Sequence, residues 1–138
     1  MIKDLVNRLA IEHTVKPQAF AAEQASALEG ESIDIVGFRR IAFAVSLGDI
    51  SAAGITVTFE GQKEDDSWEA ISNDDLISDD DLTDLAEIAD DADDTVHTFG
   101  LSVAEYQAVR AKVDSGTNDG AGDLAVLVMK QKKYDEPV

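Results

Sequence analysis

The chain has 138 residues, 44% of them apolar, with two prolines and no cysteine, so it suits one folded domain and can hold neither a disulfide nor a thiolate metal site. Its 29 acidic residues outnumber 11 basic ones, for a formal net charge of −18. That balance disfavours nucleic acid and anionic membrane as partners, because both demand clustered Lys and Arg, and it favours solubility and docking to basic surfaces or cations.

At the N-terminus, Ile2, Leu5, Val6 and Leu9 fall at i, i+3, i+4 and i+7, which predicts a short amphipathic helix over 2–11 within an N-terminal helix or arm spanning 1–20. About ten residues are too few for a helix to stand alone in water, so this stripe must pack on its own domain or on a neighbouring subunit. Charges recur through Met1–Leu9 without an unbroken apolar core, and no stretch nears the ~20 apolar residues of a membrane span, so the protein is expected to be made soluble.

From Ile33 the apolar period becomes two. Ile33 and Ile35 alternate with polar neighbours before Gly37, and Ile41, Phe43, Val45 and Leu47 share one face of the next segment, with small residues on the other. Ile55, Val57 and Phe59 repeat the pattern, with Thr56, Thr58 and Glu60 outward. The Gly48-Asp49 turn signal between these two runs suggests antiparallel neighbours. Trp68 and Ile71 predict a short return strand, with Trp68 as a core or rim anchor rather than a sugar-stacking platform.

An acidic surface loop is expected over 72–94, where carboxylates crowd together and Leu82, Leu85 and Ile88 step at helical spacing. Thr95–Leu101 reads as a strand with His97, Phe99 and Leu101 on one side. The segment 104–113 fits helix or strand, and its alternation favours strand. A turn-rich cluster over 114–122 precedes Asp123–Met129, whose nearly continuous apolar run predicts a strand buried on both faces. Six to eight short strands without βαβ alternation give an all-β antiparallel sandwich or jelly roll over 21–133, followed by a tail, 134–138.

Catalytic motifs are missing from the sequence. His13 and His97 are isolated, no G-x-S-x-G elbow or P-loop occurs, and a hidden carboxylate pair would need a cleft that a domain of this size rarely provides, so no enzyme and no cofactor are expected. Asp79–Asp84 and Asp90–Asp94 lack the EF-hand glycine and distal glutamate. Asp90, Asp91, Asp93 and Asp94 are left as weak Ca²⁺ candidates against the simpler reading of a solvated loop.

Taken in order, several segments resemble a family of small tailed-bacteriophage virion proteins that includes capsid decoration, or cement, proteins. Ile33-Asp34-Ile35-Val36-Gly37-Phe38 matches an I-D-x-x-G-F entry, and Glu64–Ile71 an acidic turn leading to tryptophan. Asp74-Asp75-Leu76-Ile77 then stands at an A-D-L-I position, and Tyr106–Val113 at an R-Y-V-R strand. Departures are Asp66 where a glycine is expected before Ser67, a longer acidic insertion at 78–94, and Glu105 in place of a basic residue.

The resemblance implies a non-enzymatic protein of the virion's capsid surface, made in the bacterial host cytoplasm. Its partners would be the major capsid protein and further copies of itself, as a trimer or dimer. On this reading Ile2, Leu5, Val6, Leu9 and Phe20 of the N-terminal arm, with Lys130, Lys132, Lys133 and Tyr134 of the C-terminal segment, would contact neighbouring subunits. Alternatives are a head–tail or tail component, and a Ca²⁺-dependent carbohydrate or adhesion module.

Overall fold

A computed structural model describes residues 9–20, 28–52, 54–72, 75–77, 93–101, 105–114 and 121–132. Among the described residues ten strands run in chain order: β1 (Leu9–Phe20), β2 (Leu28–Glu29), β3 (Ile33–Asp34), β4 (Phe38–Ala52), β5 (Thr56–Gln62), β6 (Trp68–Ala70), β7 (Leu76–Ile77), β8 (Val96–Leu101), β9 (Ala108–Asp114) and β10 (Ala121–Lys132). Sheet I has the order β1-β10-β4-β8-β7, and sheet II the order β2-β9-β5-β6 with β3 also on β9. Every pairing is antiparallel.

Strands β2 and β3 lie on the same edge of β9 with a one-residue slip between Glu29↔Lys112 and Ile33↔Val109, so they form one interrupted strand. Counting them so, and setting the two-residue β7 aside, eight strands remain in the orders 1-8-3-6 and 2-7-4-5. This is the jelly-roll arrangement, in which all connections except the β5–β6 hairpin cross from one sheet to the other. The all-β sandwich expected from the sequence is therefore present.

The inner faces hold the large residues that the alternation marked. Ile41, Phe43, Val45 and Leu47 of β4 meet Val57 and Phe59 of β5, Val109 and Val113 of β9, and Leu124, Val126 and Val128 of β10, all buried. Phe59 joins the two sheets: its ring stacks on Phe43 at 4.2 Å between centroids and tilts against Phe99 at 5.6 Å. Such pairs add ~0.5–1.5 kcal/mol beyond their burial.

Four expectations need correction. Leu9–Phe20 is a strand, not part of a helix or free arm. A lone helical turn gains little in water, whereas pairing along β10 satisfies a row of backbone groups that would otherwise be left open. Helix residues Ile2, Leu5 and Val6 lie outside the described residues, as do Leu82, Leu85 and Ile88. Second, β4 and β5 are not neighbours: β4 runs on to Ala52 and the chain crosses to sheet II before Thr56.

Third, β10 is buried on its inner face only. Outward Ala125 is covered, but Leu127 and Met129 are half-exposed. Fourth, β10 continues to Lys132, which turns Lys130 into the molecule. Its ammonium pairs with Glu12, donates to the Asp34 carbonyl at 3.0 Å and lies 4.4 Å from the Phe38 ring centre, with 6% of the residue exposed. Lys130 is thus a structural cation rather than part of a free basic tail.

Candidate functional site

The two outer faces of the sandwich differ in chemistry. On sheet II the outward positions are polar: Glu29, Thr56, Thr58, Glu60, Arg110, Lys112 and Asp114. Arg110 donates to Glu60 at 2.8 Å, approaches Glu29 at 3.8 Å and sits 4.1 Å from the Trp68 ring centre. Trp68 is therefore a half-buried rim anchor whose ring face carries a guanidinium.

At one end of sheet II, the Tyr106 ring lies on the backbone of Gly61 and its hydroxyl donates to Glu69 at 3.1 Å. Lys63 closes the group on the other carboxylate oxygen of Glu69 at 2.9 Å. Burial, reinforced by the Glu69 carboxylate, pushes the Tyr106 phenol up to about 12. The hydrogen bond from Lys63 holds Glu69 below its ordinary range and raises Lys63 in turn. These are the chemical features of a stable, hydrated face.

Sheet I presents a different surface. Opposed residues across its strands form rows: Ile11–Met129–Ala42–Gly100–Ile77, then His13–Leu127–Ala44–Thr98, then Ala125–Ser46–Val96. Each row points outward, because the intervening residues fill the core. None of these residues is acidic or basic apart from His13. Ile11, Ile77 and Val96 are 54%, 66% and 61% exposed. A shallow groove of about 670 Å³ crosses the face, lined by Leu9, Arg40, Ala42, Ile77, Gly100 and Met129 among others.

Among the described residues, the acidic and basic side chains of this outward face stand at its two ends. Arg39 and Arg40 open β4 beside Lys132 at the close of β10, and all three are exposed. At the opposite end stand Asp49 and Asp123, also exposed, with Asp123 against Gly48. On a chain of net charge −18, an outward face whose central rows contain no carboxylate is the outstanding local feature. It is the candidate interaction surface.

Of the residues expected at a partner interface, Leu9 lies in this face and Lys132 at its basic end. Phe20, at 2% exposure, belongs to the core, and Lys130 is buried as described, so neither offers an exposed contact. Lys133 and Tyr134 lie outside the described residues. Ile11, Ala42, Leu127 and Met129 were not singled out as contact residues. The signal for Leu127 and Met129 is the run Leu124–Met129, apolar on both faces although its sheet has a layer on one side only.

Among the Ca²⁺ candidates, Asp90 and Asp91 lie outside the described residues. Asp93 accepts the Ile50 N–H at 2.7 Å, and Asp94 sits at φ 56° with its N–H on the Gly48 carbonyl. Both fasten the β4 bulge at Gly48–Ile50, where the register with β10 shifts. Among the described residues no group of three His, Cys, Asp or Glu is gathered as a metal site. No helix of the described residues is long and apolar enough to cross a membrane.

The fold defines a jelly-roll domain with one hydrated outer face and one whose central rows carry no acidic residue. Among solved structures, the SPBc2 prophage-derived protein YomS matches with a TM-score of 0.57 at 18% identity, covering 88% of this chain and 91% of that one. The two therefore share a fold over nearly their full lengths. A chain in the structure of infectious bursal disease virus Gx strain matches with a TM-score of 0.47 at 12% identity, over 94% of this chain and 33% of that one. A chain of the same virus's VP2 subviral particle matches with a TM-score of 0.34 at 8% identity, over 93% and 41%. No protein-family model and no curated protein sequence matches the chain.

Proposed function

We propose that this protein is a non-enzymatic structural component of a tailed-phage particle, a decoration protein that binds the major capsid protein on the outside of the head and stabilises the shell. The observation that carries the reading is the outward face of sheet I, whose central rows hold no carboxylate on an otherwise strongly acidic domain. A free-standing monomer gains nothing from such a face, whereas an assembly unit needs one surface to cover and another to leave in water. The hydrated face of sheet II supplies the second.

The order of the sequence motifs and the fold shared with a prophage-derived protein support the same class. A rigid sandwich closed by an aromatic core suits a clamp, which must resist deformation rather than close on a substrate. A head–tail or tail role is the second reading, because a covered face and a hydrated face would serve an assembly unit there too.

The test is to mix purified protein with heads lacking it and to count copies bound per particle by sedimentation and gel densitometry. Hundreds of copies are expected for decoration. A dozen or fewer would place it at a unique vertex or in the tail, and none would overturn the virion reading.

A further inference from the structure

We infer that the outward face of sheet I is an interface with a second copy of this chain, the strands of the two copies running antiparallel across a two-fold axis. The inference rests on the reading of this face as an assembly surface and names its occupant.

Charge is the first argument. With −18 on each copy, two molecules repel unless they meet where carboxylates are absent, and the rows from Ile11 to Ile77 and from Ala125 to Val96 contain none. The ends of the sheet then select an orientation. Arg39 and Arg40 lie at one end and Asp49 and Asp123 at the other. A two-fold axis lying in the contact plane, perpendicular to the strands, sets the basic end of each copy on the acidic end of its mate. Stacking with strands parallel would oppose like charges at both ends, a loss rather than a gain. The face is therefore complementary to itself, as an isologous contact requires.

Area is the second argument. About nine residues each of β1, β10 and β4, with the six of β8 and the two of β7, at ~4.8 Å by ~3.3 Å per residue give a face of roughly 550 Å² per copy. Specific interfaces begin at ~600 Å² per partner, so the flat face comes close to the smallest size a dimer needs. Small residues at its centre, Ala42, Ala44 and Gly100, allow close approach of the facing backbone.

Sedimentation equilibrium and light scattering over a range of concentrations test the inference. The wild-type chain is expected at twice 14.8 kDa, and Met129→Glu or Ile11→Glu at 14.8 kDa with circular dichroism and melting of a folded domain. Thr58→Glu, on the hydrated face, leaves the dimer intact. Arg40→Glu weakens association about tenfold, and adding Asp123→Arg to the same chain restores it, because the two residues face each other across the axis. A wild-type mass of 14.8 kDa throughout, a dimer indifferent to both face substitutions, or no rescue by the charge swap would overturn the inference.

Head binding separates this outcome from that of the proposed function. A dimer that fails to bind heads overturns decoration and leaves the interface standing. A monomer that binds heads through this same face overturns the dimer and keeps the decoration reading.

Discussion

A β-carbon placed on Gly30 would fall 2.5 Å from the Thr14 hydroxyl oxygen and 2.7 Å from the Ala111 carbonyl, so a glycine is required where β1 of sheet I meets β9 of sheet II. Thr14 is buried there, donating to the Glu31 carbonyl at 2.7 Å and accepting the Ala111 N–H at 3.1 Å. This hydroxyl fastens the two sheets at one end of the sandwich. Gly30→Ala is expected to cost about 1–3 kcal/mol through overpacking against backbone that cannot yield. Thr14→Val keeps the shape and strands two backbone groups, for a loss of about 1–3 kcal/mol. Urea midpoints of the two variants check both, and wild-type stability for Gly30→Ala would contradict the close approach.

Tyr106 makes stability depend on alkaline pH. Its folded phenol is raised to about 12, above an unfolded value near 10, so between those values the folded state holds a proton that the unfolded chain releases. Stability contributed by the neutral phenol is complete below pH 10 and falls as pH climbs toward 12. In Tyr106→Phe that part of the alkaline decline should vanish, at the cost of the hydrogen bond to Glu69. Melting temperatures of both proteins from pH 8 to 12 measure the difference, and parallel curves would refute the assignment.

Asp66 occupies the position where the resembled family has glycine, and its φ of 68° shows why glycine is favoured there. The N–H of Asp66 bonds the Lys63 carbonyl at 2.9 Å and Lys63 bonds Ser67 at 2.9 Å, the pattern of a turn followed by a left-handed residue. Asp66→Gly relieves about 1 kcal/mol of backbone strain and loses a side-chain bond from Gln107, so a gain of up to ~0.5 kcal/mol is expected. Asp66→Val should lose about 1–2 kcal/mol. Thermal melts that place Val at or above Gly would refute the turn argument.

Lys130 and Lys132 lie two residues apart on β10 and should respond differently to charge reversal. Lys130→Glu buries a carboxylate beside Glu12 and the Asp34 carbonyl, with an expected loss of about 3–5 kcal/mol or failure to fold. Lys132→Glu, at the exposed end, should stay within ~0.5 kcal/mol of wild type. Denaturation curves decide this, and equal tolerance at both sites would return Lys130 to a free tail.

Two of the motifs behind the family resemblance now have a physical account. In Ile33–Phe38, the Asp34 carboxylate accepts the Val36 N–H at 3.0 Å, Gly37 takes φ 86°, and the Phe38 N–H returns to the Ile35 carbonyl at 3.1 Å. In Glu64–Ile71, the Asp65 carboxylate accepts from both the Ser67 backbone and its hydroxyl, which lowers the Asp65 carboxyl below its ordinary range. Both motifs are turn chemistry.

Strand periodicity from Ile33 to Met129 was legible in the sequence because each inner position needs a large apolar side chain and each hydrated outer one does not. β1 was hidden for the opposite reason. Its register breaks between His13 and Val15 and again before Gln18, so the alternation of Leu9, Ile11 and Val15 never completes a clean period of two. Composition also determined that the protein carries a large negative charge, but not where the charge is missing. Only the pairing of β1, β10, β4, β8 and β7 side by side gathers Ile11, Met129, Ala42, Gly100 and Ile77 into one row, although Ile11 and its neighbour Met129 are 118 residues apart in the chain. Alternation tells which side chains share a face of one strand; neighbouring strands are chosen by long-range backbone hydrogen bonding, and the outward face of sheet I exists only at that level.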